Sequence, residues 1–299
     1  MRLPSAPGPN RPRLLLASAL LVTALSACAA DGGTPQAGAG TSATGPATVG
    51  PSSAPGSPAT PGAALHTGFS APTGIAYAPD GTLYVSNWSA GTVERITSDG
   101  RRSTFAEVPS PAGLAIDGKG DLYVAGYSDD VIYRVTPSGA RQTFATGFHT
   151  PAGISFDSRG GLLVCNRASD EIVRVTPEGV VSRVAGGLRT PVGVVEDSTG
   201  TIYVSNYVGG VVSRLTRDGG AEPFSADFEG LGVGLTVDRD DRLFAVDLAG
   251  GQVKRIEADG RAVAVMSGLG SPVALAVDPD DVLHTATWGD GALYQVPRG

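Results

Sequence analysis

Two columns of residues hold most of the polar and aromatic chemistry of this chain, and they are columns because the sequence repeats. Fifteen positions after a recurring Pro-x-Gly anchor stand Asn87, Gly126, Asn166, Asn206, Asp247 and Thr287. One position later come Trp88, Tyr127, Arg167, Tyr207, Leu248 and Trp288, which include both tryptophans of the chain. Amides, a carboxylate, an arginine and aromatic rings gathered on one surface suit a sugar, a peptide or a flat organic ligand, through contact area and directional hydrogen bonds. The expected ligand-binding set is Asn87, Trp88, Tyr127, Asn166, Arg167, Asn206, Tyr207, Asp247 and Trp288. For the amide column, capping of the turn behind a strand is an equally physical reading. Turn capping gives no reason for Trp or Tyr on a loop.

Groups able to do acid–base chemistry are few. Of the histidines, His66 and His284 fall within expected strands, and only His149 lies in a loop that enters a repeat, where it could act as a general base. The fifth position after the anchor is Tyr77, Ile116, Phe156, Val237 or Val277, but Glu196 in the fourth copy. That carboxylate reads either as a tuned catalytic acid or as a partner for an arginine or water at a strand end. No Ser-x-x-Lys, Gly-x-Ser-x-Gly or His-Glu-x-x-His pattern marks a nucleophile or a zinc site. Cys165 occupies a small-residue column with Ser86, Ala125, Ser205, Val246 and Ala286, and reads as buried filler rather than a reactive thiol.

The elements that must position these residues follow from the repeat itself. Anchors at Pro72, Pro111, Pro151, Pro191, Gly232 and Pro272 recur at intervals of about forty residues. Within each copy, short β-branched and aromatic runs alternate with Gly, Asp and Pro punctuation, which predicts four antiparallel strands, one propeller blade. The sixth copy has only three such runs before the chain ends, and Ala63–Phe69 resembles the missing fourth. The expected fold is all-β: a six-bladed propeller over residues 62–299, closed by an N-terminal strand in the last blade. Up-down strand order puts the anchor loops and both chemical columns on one mouth. Columns filled alike read as architecture: Arg95, Arg134, Arg174, Arg214 and Arg255 as bonds between neighbouring blades, Tyr84, Tyr123, Tyr203 and Phe244 as packing between blades, and Asp117, Asp157, Asp197, Asp238 and Asp278 as turns.

Residues 1–28 read as a secretory leader, with Arg2, Arg11 and Arg13 before an apolar run from Leu14 to Ala24. It ends in Leu25-Ser26-Ala27-Cys28, which looks like a bacterial lipobox whose Cys28 would take diacylglycerol. Residues 29–61, built of small and polar residues with Asp31 as their one charge, read as a flexible tether. The expected location is therefore extracytoplasmic, lipid-anchored to a bacterial membrane. Without the leader the chain holds 19 basic against 29 acidic residues, a poor basis for binding nucleic acid or anionic lipid. The expected partner is a small molecule, glycan, peptide or protein at the mouth of a monomer, and the membrane is met only through the anchor.

The unit Pro-x-Gly-(apolar)-x-x-Asp…Gly-x-(Leu/Ile)-Tyr-Val-x-Asn…Arg-(apolar) resembles the NHL-repeat propellers and is similar to the senescence marker protein/gluconolactonase superfamily. That resemblance implies a six-bladed propeller acting as a binding module or as a metal-dependent lactonase or esterase. Gluconolactonase-like relatives imply an axial divalent cation, Ca or Mg, held in part from position x of the anchor. Here x is Thr73, Ala112, Ala152, Val192, Val233 and Val273, so no metal ligand or cofactor is expected and the hydrolase is the alternative reading. The virginiamycin-lyase branch of such propellers implies a histidine-rich mouth, and three scattered histidines set that branch aside.

Overall fold

The computed structural model describes residues 57–299, and these form a six-bladed β-propeller. Blade 1 comprises Pro72–Tyr77, Leu83–Asn87, Thr92–Ile96 and Arg102–Glu107, paired antiparallel in chain order. Blades 2 to 5 repeat this plan from Pro111–Ile116, Pro151–Phe156, Pro191–Glu196 and Leu231–Val237. Blade 6 holds Pro272–Val277, Leu283–Thr287 and Ala292–Val296. A single 3-10 turn, Arg167–Ser169, is the only helical element among the described residues. First strands of successive blades touch one another around a closed ring, the sixth returning to the first, so they surround the axis.

The anchor glycine is explained by that inner ring. A Cβ on Gly74 would lie 2.5 Å from the carbonyl oxygen of Ala112, and one on Gly113 would lie 2.6 Å from that of Ala152. In the first five blades neighbouring inner strands approach too closely for a side chain at this point, whereas blade 6 has Ala274 there. Pairing of the first two strands slips at each anchor, between Pro72 and Gly74 in blade 1 and between Pro191 and Gly193 in blade 4. Such a bulge turns the strand end toward the mouth.

The turn aspartates act as expected on the opposite face. Asp117 Oδ1 accepts the backbone N–H groups of Lys119 and Asp121, each at 2.9 Å, and Asp278 Oδ1 does the same for Asp280 and Val282. The aromatic column packs both ways: Tyr123 lies 5.2 Å from Phe156 of the next blade and 4.9 Å from Phe144 of its own. The arginine column differs in part from expectation. Arg134 pairs with Asp121, Arg174 with Asp157, Arg214 with Glu222 and Arg255 with Glu257, each within one blade. Arg255 also makes the expected bond between blades, its Nη1 donating to Arg298 O and Gly299 O at the end of blade 6, both at 2.9 Å, while Arg95 lies over the Phe105 ring of its own blade. Cys165 is fully buried, and burial pushes its thiol well above the usual range.

The ring closes through the N-terminal segment. Leu65 N donates to Leu293 O at 2.8 Å, Leu293 N to His66 O at 2.9 Å, and Phe69 N to Gly291 O at 3.0 Å. Only the His66–Leu293 pair forms a ladder bridge, so the closing strand is shorter than its four-strand counterparts. Pairing also starts earlier than residue 62. Ala59 bridges Met266 in parallel, covering the outer edge of blade 5.

Candidate functional site

Each mouth loop is tied to its neighbour by backbone. Trp88 N donates to Ala71 O at 3.1 Å, Tyr207 N to Thr190 O at 3.0 Å and Trp288 N to Ser271 O at 3.0 Å. The loop after each second strand therefore sits beside the loop entering the same blade, on one face. The residue before each anchor proline is left-handed: Ala71, Ser110, Thr150, Thr190 and Ser271 have φ of 52°, 44°, 52°, 57° and 56°. A left-handed residue is unusual without glycine, and its neighbours hold it.

The amide column supplies those neighbours. Asn87 Oδ1 accepts from Ser70 N at 3.0 Å, Asn166 Oδ1 from His149 N at 2.6 Å and Asn206 Oδ1 from Arg189 N at 3.0 Å. Asn206 Nδ2 also donates to Ser213 Oγ at 3.0 Å. In blade 5 the pair becomes ionic, with Lys254 Nζ donating to Asp247 Oδ2 at 2.7 Å. Burial would raise the Asp247 carboxyl, but Lys254 and the backbone N–H groups of Glu229, Gly250 and Gly230 outweigh it and hold the acid below its usual range. All four of these side chains are buried, with their oxygens turned to the fold. Among them only Asn87 Nδ2 has no partner.

The second column opens outward. Trp88 and Tyr127 meet edge to face with centroids 4.6 Å apart. Arg167 Nη1 donates to Tyr127 Oη at 2.9 Å, and its guanidinium carbon lies 5.9 Å from the rings of both Tyr127 and Tyr207. Trp88, Tyr127, Arg167 and Tyr207 thus form one arc across blades 1 to 4. Tyr207 is 40% exposed and Trp288 44%, values that leave ring surface free for a ligand. Trp288 stands on the same face in blade 6, apart from the arc. Stacking on an aromatic face and a cationic fork are well suited to planar and carbonyl-bearing groups.

The two candidate acid–base groups are on different faces. His149 is exposed at the mouth, where its carbonyl accepts from Ala168 N at 3.1 Å. Glu196 ends a first strand on the far face, and its Oε2 accepts from Ser158 N of the preceding blade at 2.5 Å. Asp241 and Asp281 make the matching bonds to Ser198 N and Arg239 N, so Glu196 belongs to a staple between blades. Sequence reasoning overlooked Arg189. It is exposed at the mouth and lies over Gly209, where a Cβ would meet its Nη1 at 3.2 Å. The signal was available two positions before the anchor, where Ser70, Pro109, His149, Arg189, Gly230 and Gly270 include only two basic groups.

The axis offers little to a divalent ion. A channel of about 340 Å³ is lined by the first strands, mainly by Gly, Ala, Val, Ile and Leu. Thr73 is the one oxygen-bearing side chain at position x, and its hydroxyl is already donated to Ala71 O at 3.1 Å. Among the described residues no three His, Cys, Asp or Glu side chains converge. Hard cations take six or more oxygens, and these residues do not fit one.

Residues 62–298 match the family described as the virginiamycin B lyase family. This is the branch that the scarcity of histidine had set aside, so that exclusion is corrected. No curated protein matches the sequence. Among solved structures, a catalytically inactive virginiamycin B lyase from Staphylococcus aureus with quinupristin aligns at a TM-score of 0.62 and 19% identity, covering 79% of this chain and 87% of that one. A gluconolactonase from Xanthomonas campestris aligns at 0.70 and 20%, covering 78% and 88%. The calcium-binding regucalcin from Agrobacterium tumefaciens aligns at 0.68 and 17%, covering 80% and 94%. At such identities the likeness is one of fold.

Proposed function

The chain belongs to the virginiamycin B lyase family over residues 62–298, and from that premise we propose that its propeller binds a ligand at the mouth without transforming it. One observation carries the reading: the arc of Trp88, Tyr127, Arg167 and Tyr207, whose rings and guanidinium contact one another across four blades. Trp288 adds an exposed ring on the same face in blade 6. The buried amides hold the loops that present these groups. The ligand class is a peptide, a glycan or another compound with aromatic and carbonyl groups, to which the rings and the guanidinium are suited.

Family membership and the exposed imidazole of His149 favour a second reading, a lyase or a lactone and ester hydrolase working at the same mouth. It would need further groups to converge with His149, and Glu196 is on the opposite face. No step through a metal is assigned, because the axial donors do not fit one.

Metal analysis tests the metal-dependent form of the second reading. Mass spectrometry of the purified protein, prepared without chelator, followed by calcium, magnesium, manganese and zinc titration in a thermal shift assay, is expected to show no stoichiometric ion and no saturating shift. A melting shift that saturates at micromolar metal would overturn the binding reading in favour of the hydrolase.

We further propose an extracytoplasmic location on a lipid tether. The support lies in the lipobox-like Leu25-Ser26-Ala27-Cys28 and the small-residue stretch after it, which up to residue 56 lie outside the described residues. Labelling with radioactive palmitate in a bacterial host should be lost with Cys28→Ala. Retained label in that variant, or none in the native chain, would contradict it.

A further inference from the structure

The mouth is chemically lopsided. His149, Arg167 and Arg189 stand on the loops of blades 3 and 4, in a chain whose formal charge is −7. Both arginines adjoin the Tyr207 loop: Arg167 faces its ring at 5.9 Å, and Val208 N donates to Arg189 O at 3.3 Å while the Arg189 side chain lies over Gly209. Neither guanidinium is ion-paired among the described residues, unlike Arg134 and Arg174 within their blades. The acids on the loops of blades 2 and 3 are engaged with the fold, Glu171 through Arg183 at 2.9 Å. Asp130 Oδ1 accepts from Thr150 N and Asp170 Oδ1 from Thr190 N, both at 2.7 Å, and Asp129 Oδ2 accepts from Tyr133 OH at 2.7 Å. Nor does the repeat require these arginines, since the other copies of their columns hold Trp, Tyr, Leu, Ser, Pro, His or Gly.

We propose that Arg167 and Arg189 form an anion subsite of the mouth, which takes a carboxylate carried on an aromatic ligand. The inference deepens the binding reading and rests on it. A guanidinium is planar, always charged and weakly hydrated, and it presents paired donors that match a carboxylate. Arg167 spends one donor on Tyr127 and is steadied by two ring faces, so its remaining N–H groups are oriented before any ligand arrives. The rings beside it would cover the aromatic part of the ligand, giving recognition by charge and by stacking together.

The chain supplies its own reporter, because its two tryptophans, Trp88 and Trp288, both lie on this face. Tryptophan emission of the purified protein would be followed during titration with hippurate and, separately, with neutral hippuramide at constant ionic strength. Hippurate is expected to bind about tenfold more tightly than the amide, the size of one charge-assisted contact. Arg167→Gln should erase that preference, and Arg189→Gln should reduce it, with melting temperature and far-ultraviolet spectrum retained. Equal binding of acid and amide would refute the anion subsite and leave the mouth as a binding face. A preference for hippurate that survives in both variants, or no emission change with either compound, also refutes it. Failure of the mouth reading is seen separately, in ligand binding that survives loss of the aromatic residues.

Discussion

At the scale of single residues, the repeat gives each side chain five controls, and departures from a column acquire meaning. Asn206–Ser213 in blade 4 and Asp247–Lys254 in blade 5 occupy the same two positions, one neutral and one ionic. Lys254→Ser leaves the fully buried Asp247 without its counter-charge, a loss of about 3–5 kcal/mol in urea unfolding. The double variant Asp247→Asn/Lys254→Ser recreates the blade 4 pair and should recover most of it; no recovery would show that the two positions are not equivalent. Cys165 behaves oppositely from a reactive thiol. In a Cys28→Ala background a thiol reagent should label it only after unfolding, because burial raises its pKa far above neutral. The aspartate turns, the aromatic column and Cys165 were legible from residue types alone. The left-handed residues before each proline were not, since Ala, Ser and Thr carry no sign of a backbone state imposed by the loop beside them. The intra-blade arginine pairs escaped for a similar reason: spacing shows that a column exists, not which neighbour is nearest.

At the scale of elements, the weak point is the seam between blades 6 and 1. In the four-strand blades the outermost strand is held by a full ladder, whereas the outer edge of blade 6 relies on the short segment around His66 and on Arg102. The Arg102 guanidinium donates to Thr67 O at 2.6 Å and Gly68 O at 3.1 Å, pairs with Glu94 and stacks 4.3 Å from the Phe69 ring. Burial first, then Arg102 and His284, holds the His66 imidazole below its usual 6.5. The unfolded chain therefore binds more protons than the folded one in the window just below pH 6.5, and stability falls there as pH drops. Melting temperature should decline on acidification through that window, and His66→Asn should remove that part of the slope. An unchanged slope would place the acid sensitivity elsewhere. Deleting residues 57–69 should lower the melting temperature further, since it exposes the edges of blades 5 and 6. The count of strands predicted this seam; the pairing of Ala59 with blade 5 was hidden in a stretch whose composition gives no strand signal.

At the scale of the whole molecule, six near-identical blades build a rigid ring, and what differs between them accumulates at one mouth. The amide column holds the loops in place, while the column beside it gathers rings and a guanidinium into an arc. Position along the repeat predicted that both would share a face, because up-down strands admit no other arrangement. It could not tell that one column points inward and the next outward, which depends on how each loop turns after its strand. Trp88, Tyr207 and Trp288 are the residues on which a mouth site depends most. The decisive measurement is binding of the native protein and of the triple variant Trp88→Ala/Tyr207→Ala/Trp288→Ala to glycan and peptide arrays, with melting curves confirming that the variant is folded. Ligands bound by the native protein and lost from the variant are the expected result. Ligands held equally by both would place recognition on blade edges or sides and contradict the mouth site.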